Sequence, residues 1–188
     1  MAGGRSARFG RDKLKEPYRG APLLHHAVFR LAEVCREVVV VIEPQGPEPS
    51  LPVGSPLRIA RDPVGGQGPL AGLAAGLAGV RTDLVLVAAG DMPTLSKAVL
   101  AQMLQLAATT GGDAVALQDG ETIRPLPVVL RGEEAGETAR ELLGRGERSL
   151  LALLRALRVT SLDERTWRAL DPEGMTLRDI DEPEDLRR

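Results

Sequence analysis

The sequence predicts an α/β fold, a single domain over residues 1–188 with three layers around a mostly parallel central sheet. Two observations carry this. Val38 to Ile42 and Leu84 to Ala89 are continuous apolar runs without polar alternation, the pattern of strands covered on both faces. Helical stretches fall between and after them, so strands and helices alternate along the chain. In such sheets ligands bind beyond the carboxyl ends of strands.

The elements follow in order. Leu24, Ala27, Val28, Leu31 and Cys35 fall on one helical stripe between Pro22 and Cys35. His25 and His26 lie beside it and point in different directions, which disfavours joint metal binding. Five prolines over 44–56 mark a loop. Leu57 to Ala60 reads as a short strand, ended by Arg61-Asp62-Pro63. The glycine-rich run GGQGPL (65–70) precedes a slim helix over 70–80, whose alanines and glycines allow close approach to a ligand or sheet. The strand Leu84 to Ala89 stops at Gly90-Asp91-Met92-Pro93, and an amphipathic helix follows over 95–108. Strands 113–118 and 125–130 form a hairpin about Asp119-Gly120. Pro125 and Pro127 restrict its second strand to an edge or irregular role. Helices are expected over 133–144 and 149–157, strands over Val159 to Leu162 and Leu177 to Ile180, and a last helix from Pro183.

The chain carries 24 Lys and Arg against 26 Asp and Glu. This near balance argues against a nucleic-acid coat. The distribution is uneven, with a basic N-terminal region and an acidic DIDEPEDL near the end, which favours local anion binding. No apolar run reaches membrane-spanning length and no signal peptide is visible, so a cytoplasmic protein without membrane association is expected. The single cysteine excludes an internal disulfide, and its place on an apolar stripe favours packing over reactivity. Asparagine is absent and lysine is scarce beside arginine.

The most informative stretch is Gly3 to Lys13, GGRSARFGRDK. Glycines let the backbone approach a ligand closely, and successive N–H groups form a nest for an anion. Arg5, Arg8, Arg11 and Lys13 add positive charge along the same arc. The run fits neither the Walker A loop nor the dinucleotide fingerprint. It reads as a triphosphate cradle, with a ligand-free basic turn as the plain alternative.

Asp91 stands just past a buried strand, where a carboxylate is placed to hold Mg²⁺. That ion takes one or two carboxylates together with substrate phosphates and keeps several waters. A helix-capping aspartate is the alternative. With Lys13 and Arg8 offsetting the phosphate charge, catalysis would consist of positioning and electrostatic stabilisation. The chain offers no Ser-His-Asp or Cys-His arrangement, and in-line transfer to an acceptor phosphate requires none.

GG-x-S-x-R-[hydrophobic]-G-x-DK resembles the signature loop of the molybdenum cofactor guanylyltransferases, within the nucleotidyltransferase superfamily. The likeness extends through Asp62 and GQGPLAGL, Gly90-Asp91-Met92-Pro93, Gly146-Glu147-Arg148-Ser149 and the closing Asp179 to Leu186. The resemblance implies a three-layer Rossmann-like nucleotidyltransferase fold. It further implies transfer of GMP from GTP to molybdopterin, with Mg²⁺ as cofactor and release of pyrophosphate. By position Ala2, Gly3, Gly4, Lys13, Asp62 and Asp91 would bind the nucleotide. Lys13, Arg8 and Asp91 would serve catalysis, and Asp91 would hold the metal. Arg124 and Pro125 match a His-Pro segment on the pterin side. A monomer is expected, with other cofactor-assembly proteins or the apo-molybdoenzyme as further partners.

Three departures from the family pattern stand out. Gly90 replaces a cysteine. Asp179 and Asp181 replace paired asparagines, so carboxylates would meet an anionic cofactor, unless the segment is a solvated helix cap. The family also places a hydrophobic strand directly before the loop, at the centre of the sheet. Met1 already stands at the loop's edge, so that first strand is expected to be missing and the natural chain to begin earlier. Alternative readings are a cytidylyltransferase on the same cofactor, a sugar-1-phosphate nucleotidyltransferase and a non-catalytic nucleotide-binding adaptor. Ala2-Gly3-Gly4 favours the guanylyl side over the cytidylyl one.

Overall fold

The computed structural model describes residues 12–54 and 56–187. After a 3₁₀ turn at Lys13–Lys15, a two-residue hairpin pairs β1 (Pro17–Tyr18) with β2 (Ala21–Pro22). Helix α1 (Leu23–Ala32) leads to β3 (Val38–Ile42), which pairs in parallel with β4 (Leu57–Arg61). Helix α2 (Pro69–Leu77) then precedes β5 (Leu84–Val87), and α3 (Lys97–Thr109) precedes the hairpin of β6 (Ala114–Asp119) and β7 (Thr122–Arg131). Helices α4 (Gly132–Gly144) and α5 (Leu150–Ala156), strand β8 (Val159–Leu162) and helix α6 (Glu164–Leu170) complete the regular elements. Among the described residues no helix is long and apolar enough to cross a membrane.

The larger sheet has the order β5-β7-β6-β8. Strands β5, β6 and β8 share one direction and β7 alone runs against them, so the sheet is mixed. Side-chain alternation sorts its two faces. Ala114, Ala116, Val128 and Leu130 meet α2, α4 and α5 on one side. Val115, Leu117 and Val129 meet α3 and Trp167 of α6 on the other. The expected three layers are thus built by the period-two pattern of β6 and β7.

The slim second helix sits against the smaller sheet. A Cβ at Gly76 would stand 2.9 Å from Val41 Cγ2, so the absence of a side chain there sets how closely α2 approaches β3. On the opposite face, Leu24 and Val28 of α1 pack on Val38, Val40 and Ile42.

Between β3 and β5 the sheet is interrupted. Among the described residues each strand pairs on one edge only, and an apolar cleft of about 310 Å³ separates them, lined by Val39, Val41, Gly76, Leu84 and Leu86. Among the described residues no strand bridges it.

Three expectations need correction. Leu177 to Ile180 is no strand: Met175–Leu177 forms a 3₁₀ turn, fixed where Asp171 accepts from the backbone N–H groups of Met175 (3.1 Å) and Thr176 (2.7 Å). Cys35 lies beyond the end of α1 and lines the cleft; burial pushes its thiol up. Strand β7 is interior where an edge was one expectation. Its prolines are tolerated because β5 pairs only from Val128 onward, while the β6 ladder is irregular between Ala116 and Gln118. The second expectation for that strand, an irregular course, holds.

Candidate active site

Lys13, Asp91 and Asp181, far apart in sequence, meet at one point. Lys13 opens the first 3₁₀ turn, which Asp12 caps by accepting from Leu14 N (3.2 Å). Asp91 stands in the turn after β5, between the buried residues Ala88, Met92 and Leu95 of the same stretch. The lysine Nζ lies 2.7 Å from Asp91 Oδ2. It also donates to Asp181 Oδ1 at 3.0 Å and to the Ile180 carbonyl at 2.9 Å.

The C-terminal segment reaches this point through its backbone. Ile180 N donates to the Asp91 carbonyl at 3.0 Å, and the fully buried Ile180 side chain packs with Tyr18 and Leu23. Asp185 Oδ2 then accepts from the N–H groups of Asp181 (3.2 Å) and Glu182 (3.0 Å). The segment between is an anchored turn, and Asp181 is presented to Lys13 by that anchoring.

The charges are strongly coupled. Burial pulls the Lys13 ammonium down, but hydrogen bonds and attraction from Asp91 and Asp181 outweigh it, so its pKa is raised. Asp179 moves up as well, first through burial and then through repulsion by Asp181. Two carboxylates, those of Asp91 and Asp181, therefore contact this lysine.

Asp62 ends β4, buried, with Oδ1 accepting from Val64 N at 3.1 Å. It closes its own turn at the head of the GGQGPL loop. That loop enters α2 through Gly68 at φ +82°, where an added Cβ would stand 3.0 Å from Arg148 Cβ and 3.1 Å from its carbonyl. Leu70 N donates to the same carbonyl at 3.2 Å. The GERS stretch thus docks on the start of the GPLAG helix, a pairing the motif order alone did not disclose. Arg124 pairs instead with Asp119 of its own hairpin at 2.8 Å. Ala2, Gly3, Gly4 and Arg8 lie outside the described residues.

The residues present suit a hard divalent cation. Asp91 Oδ1 is buried and has no hydrogen-bond partner among the described residues, while Oδ2 already faces a cation, the lysine ammonium. An unpaired buried carboxylate oxygen is costly, and a metal ion would satisfy it. No group of three or more Asp, Glu, His or Cys among the described residues could hold a metal.

Comparison with known proteins bears on the family and the fold. The family model described as "MobA-like NTP transferase domain" matches residues 1–161. A "Probable molybdenum cofactor guanylyltransferase" of Chloroflexus aggregans is 34% identical over 193 residues, covering 100% of this chain and 89% of the relative. A protein of the same description from Mycobacterium tuberculosis is 37% identical over 175 residues, covering 88% and 83%. In fold, the chain resembles molybdopterin-guanine dinucleotide biosynthesis protein A of Archaeoglobus fulgidus, with a TM-score of 0.79, 22% identity and coverage of 100% and 93%. It also resembles 2-C-methyl-D-erythritol 4-phosphate cytidylyltransferase of Thermus thermophilus, with a TM-score of 0.71, 22% identity and coverage of 93% and 90%. Those two solved structures bear on the fold alone. The family match and the identities above 30% across most of the sequence decide the family, and the chain belongs to the MobA-like NTP transferases.

Proposed function

We propose that this protein transfers the GMP group of GTP to molybdopterin, forming the guanine dinucleotide form of the cofactor and releasing pyrophosphate. The observation that carries the reading is the 2.7 Å contact between Lys13 and Asp91. It joins the end of the glycine-rich loop to the acidic turn after β5. The relatives described as molybdenum cofactor guanylyltransferases supply the substrate pair.

An oxygen of the acceptor's terminal phosphate attacks the α-phosphorus of GTP in line, and the bond from that phosphorus to the β-phosphate bridge breaks. Pyrophosphate leaves with the bond's electron pair. By the family pattern Ala2, Gly3, Gly4 and Asp62 would contact the nucleotide. Lys13 and Arg8 neutralise the phosphates. Asp91 would hold Mg²⁺, which would supply positive charge to offset the negative charge developing on the phosphates. The acceptor phosphate is already ionised near neutral pH, so no general base is needed.

Magnesium-dependent pyrophosphate release with molybdopterin, compared for GTP, CTP and ATP, tests the reading. Release with GTP alone is expected. A preference for CTP would make the protein a cytidylyltransferase on the same cofactor. Binding of GTP without release would favour a nucleotide-binding adaptor.

A further inference from the structure

Asp171 is a buried acid outside the transfer chemistry. It stands at the end of α6 and is 8% exposed. Its Oδ1 accepts from Met175 N at 3.1 Å and its Oδ2 from Thr176 N at 2.7 Å. A carboxylate presents two acceptors and no donor to such a pair of N–H groups. The turn is thereby held, and with it the completely buried Thr176.

The loop that carries Asp91 is the receiving side. The ladder of β5 with β7 ends at Val87, so residues 91–96 lie beyond its hydrogen bonds. Burial of Met92 and Leu95 draws the loop inward, but apolar contact is non-directional and sets no backbone orientation. Directed bonds come from the C-terminal segment. Thr176 Oγ1 accepts from Ser96 N at 3.1 Å, and Thr94 Oγ1 donates to the Met175 carbonyl at 2.8 Å. Ser96 in turn caps α3, its hydroxyl accepting from Val99 N. Ile180 N donates to the Asp91 carbonyl at the loop's other end. Asp171 and Thr176 thus hold the end where α3 begins.

Resting on the guanylyl-transfer reading for the reaction, we propose that Asp171 and Thr176 are positioning residues for Asp91. Asp171 fixes the Thr176 turn, the Thr176 hydroxyl fixes the loop at Ser96, and both act through backbone alone. Thr176→Val keeps the shape of the side chain but leaves Ser96 N facing a methyl group. Thr176→Ser keeps the hydroxyl. Asp171→Asn retains one acceptor and sets an amide NH₂ against the second N–H donor.

Hydrogen–deuterium exchange of the segment 88–96 in the nucleotide-free full chain tests this, read beside kcat and KM for GTP in dinucleotide formation. Thermal melts establish that each variant is folded. Asp113→Asn is the control, because the bonds it loses to Arg158 lie at the opposite end of the sheet. Thr176→Val and Asp171→Asn are expected to exchange segment 88–96 roughly tenfold faster, the scale of one lost hydrogen bond in a local opening. Their kcat is expected to fall roughly tenfold, since a displaced group costs rate, with KM for GTP within about twofold of wild type. Thr176→Ser should retain both properties, and Asp113→Asn should lower Tm while leaving both unchanged. Unchanged exchange of 88–96 in Thr176→Val and Asp171→Asn would overturn the positioning role. So would equal effects in Thr176→Val and Asp113→Asn, the outcome of lost stability alone. Faster exchange with wild-type kcat would overturn the part these residues play in the reaction. A wild type that forms no guanine dinucleotide would sink the proposed activity, and exchange in the variants would then decide by itself whether Asp171 and Thr176 hold the loop.

Discussion

Lys13 Nζ and Asp91 Oδ2 stand 2.7 Å apart, joining the start of the described chain to the turn after β5. The lysine side chain is only 16% exposed, so the pair is shielded from water more than a surface ion pair. Without the ammonium, the carboxylates of Asp91 and Asp181 would have less positive charge beside them.

Substitution Lys13→Met is therefore expected to lower stability by about 1–3 kcal/mol at neutral pH. The folded-state pKa of Lys13 is raised above its ordinary 10.5. Its contribution is thus fully present below that value and is lost as pH rises through the higher folded-state pKa. Urea melts from pH 7 upward should show a wild-type advantage that is flat to about pH 10 and shrinks beyond it. An advantage already fading between pH 7 and 9 would show that another group supplies it.

Asp113, at the start of the hairpin, has the opposite sign. Hydrogen bonds from Arg158 hold its carboxyl below the usual 3.8; Arg158 Nη2 and Nε donate at 2.6 and 3.0 Å. Its contribution is present above 3.8 and is lost as pH falls through the lower folded-state value. Asp113→Asn is expected to reduce Tm at pH 7 and to flatten the acid limb of the stability profile below 3.8. Parallel wild-type and variant profiles across that limb would contradict the assignment.

Gly68 couples the second glycine-rich loop to the GERS stretch. Alanine there would have to adopt φ +82° and would press its Cβ onto Arg148. A loss of about 1–3 kcal/mol is expected, read by thermal or urea unfolding. The same shift should raise the KM for GTP, because it moves the loop and α2 together. Wild-type stability in Gly68→Ala would show that the junction yields without strain.

Much of this fold was legible because its signals are local. Val38 to Ile42 is a run no solvated helix would carry, and the proline-rich loop, GGQGPL and the Asp119-Gly120 turn punctuate the chain unambiguously. Helix α6 carried no such signal. It is seven residues long and exists to bury Trp167, whose Nε1 donates to the Gln118 carbonyl at 2.7 Å. One anchor makes no periodicity. The β1–β2 hairpin was too short to show a strand pattern.

At the site, Lys13 and Asp91 could be singled out by type and context. That Ile180 returns to the Asp91 backbone could not, because it depends on a buried contact with Tyr18 and Leu23. Leu177 to Ile180 looked like a strand for the same reason: apolar residues there serve burial and anchoring, with no neighbouring strand to pair. Asp181 was read for its charge toward a substrate, whereas its partner in the structure is the cradle lysine.

The most direct measurement is formation of guanine dinucleotide from α-labelled GTP and molybdopterin, with Mg²⁺, by wild type and Asp91→Asn. The account predicts labelled dinucleotide with wild type, and a loss of roughly 10²–10³-fold in kcat/KM in the variant, the scale of removing one group that stabilises transition-state charge. Equal product from both proteins would contradict the role given to Asp91, and no labelled dinucleotide from wild type would contradict guanylyl transfer itself.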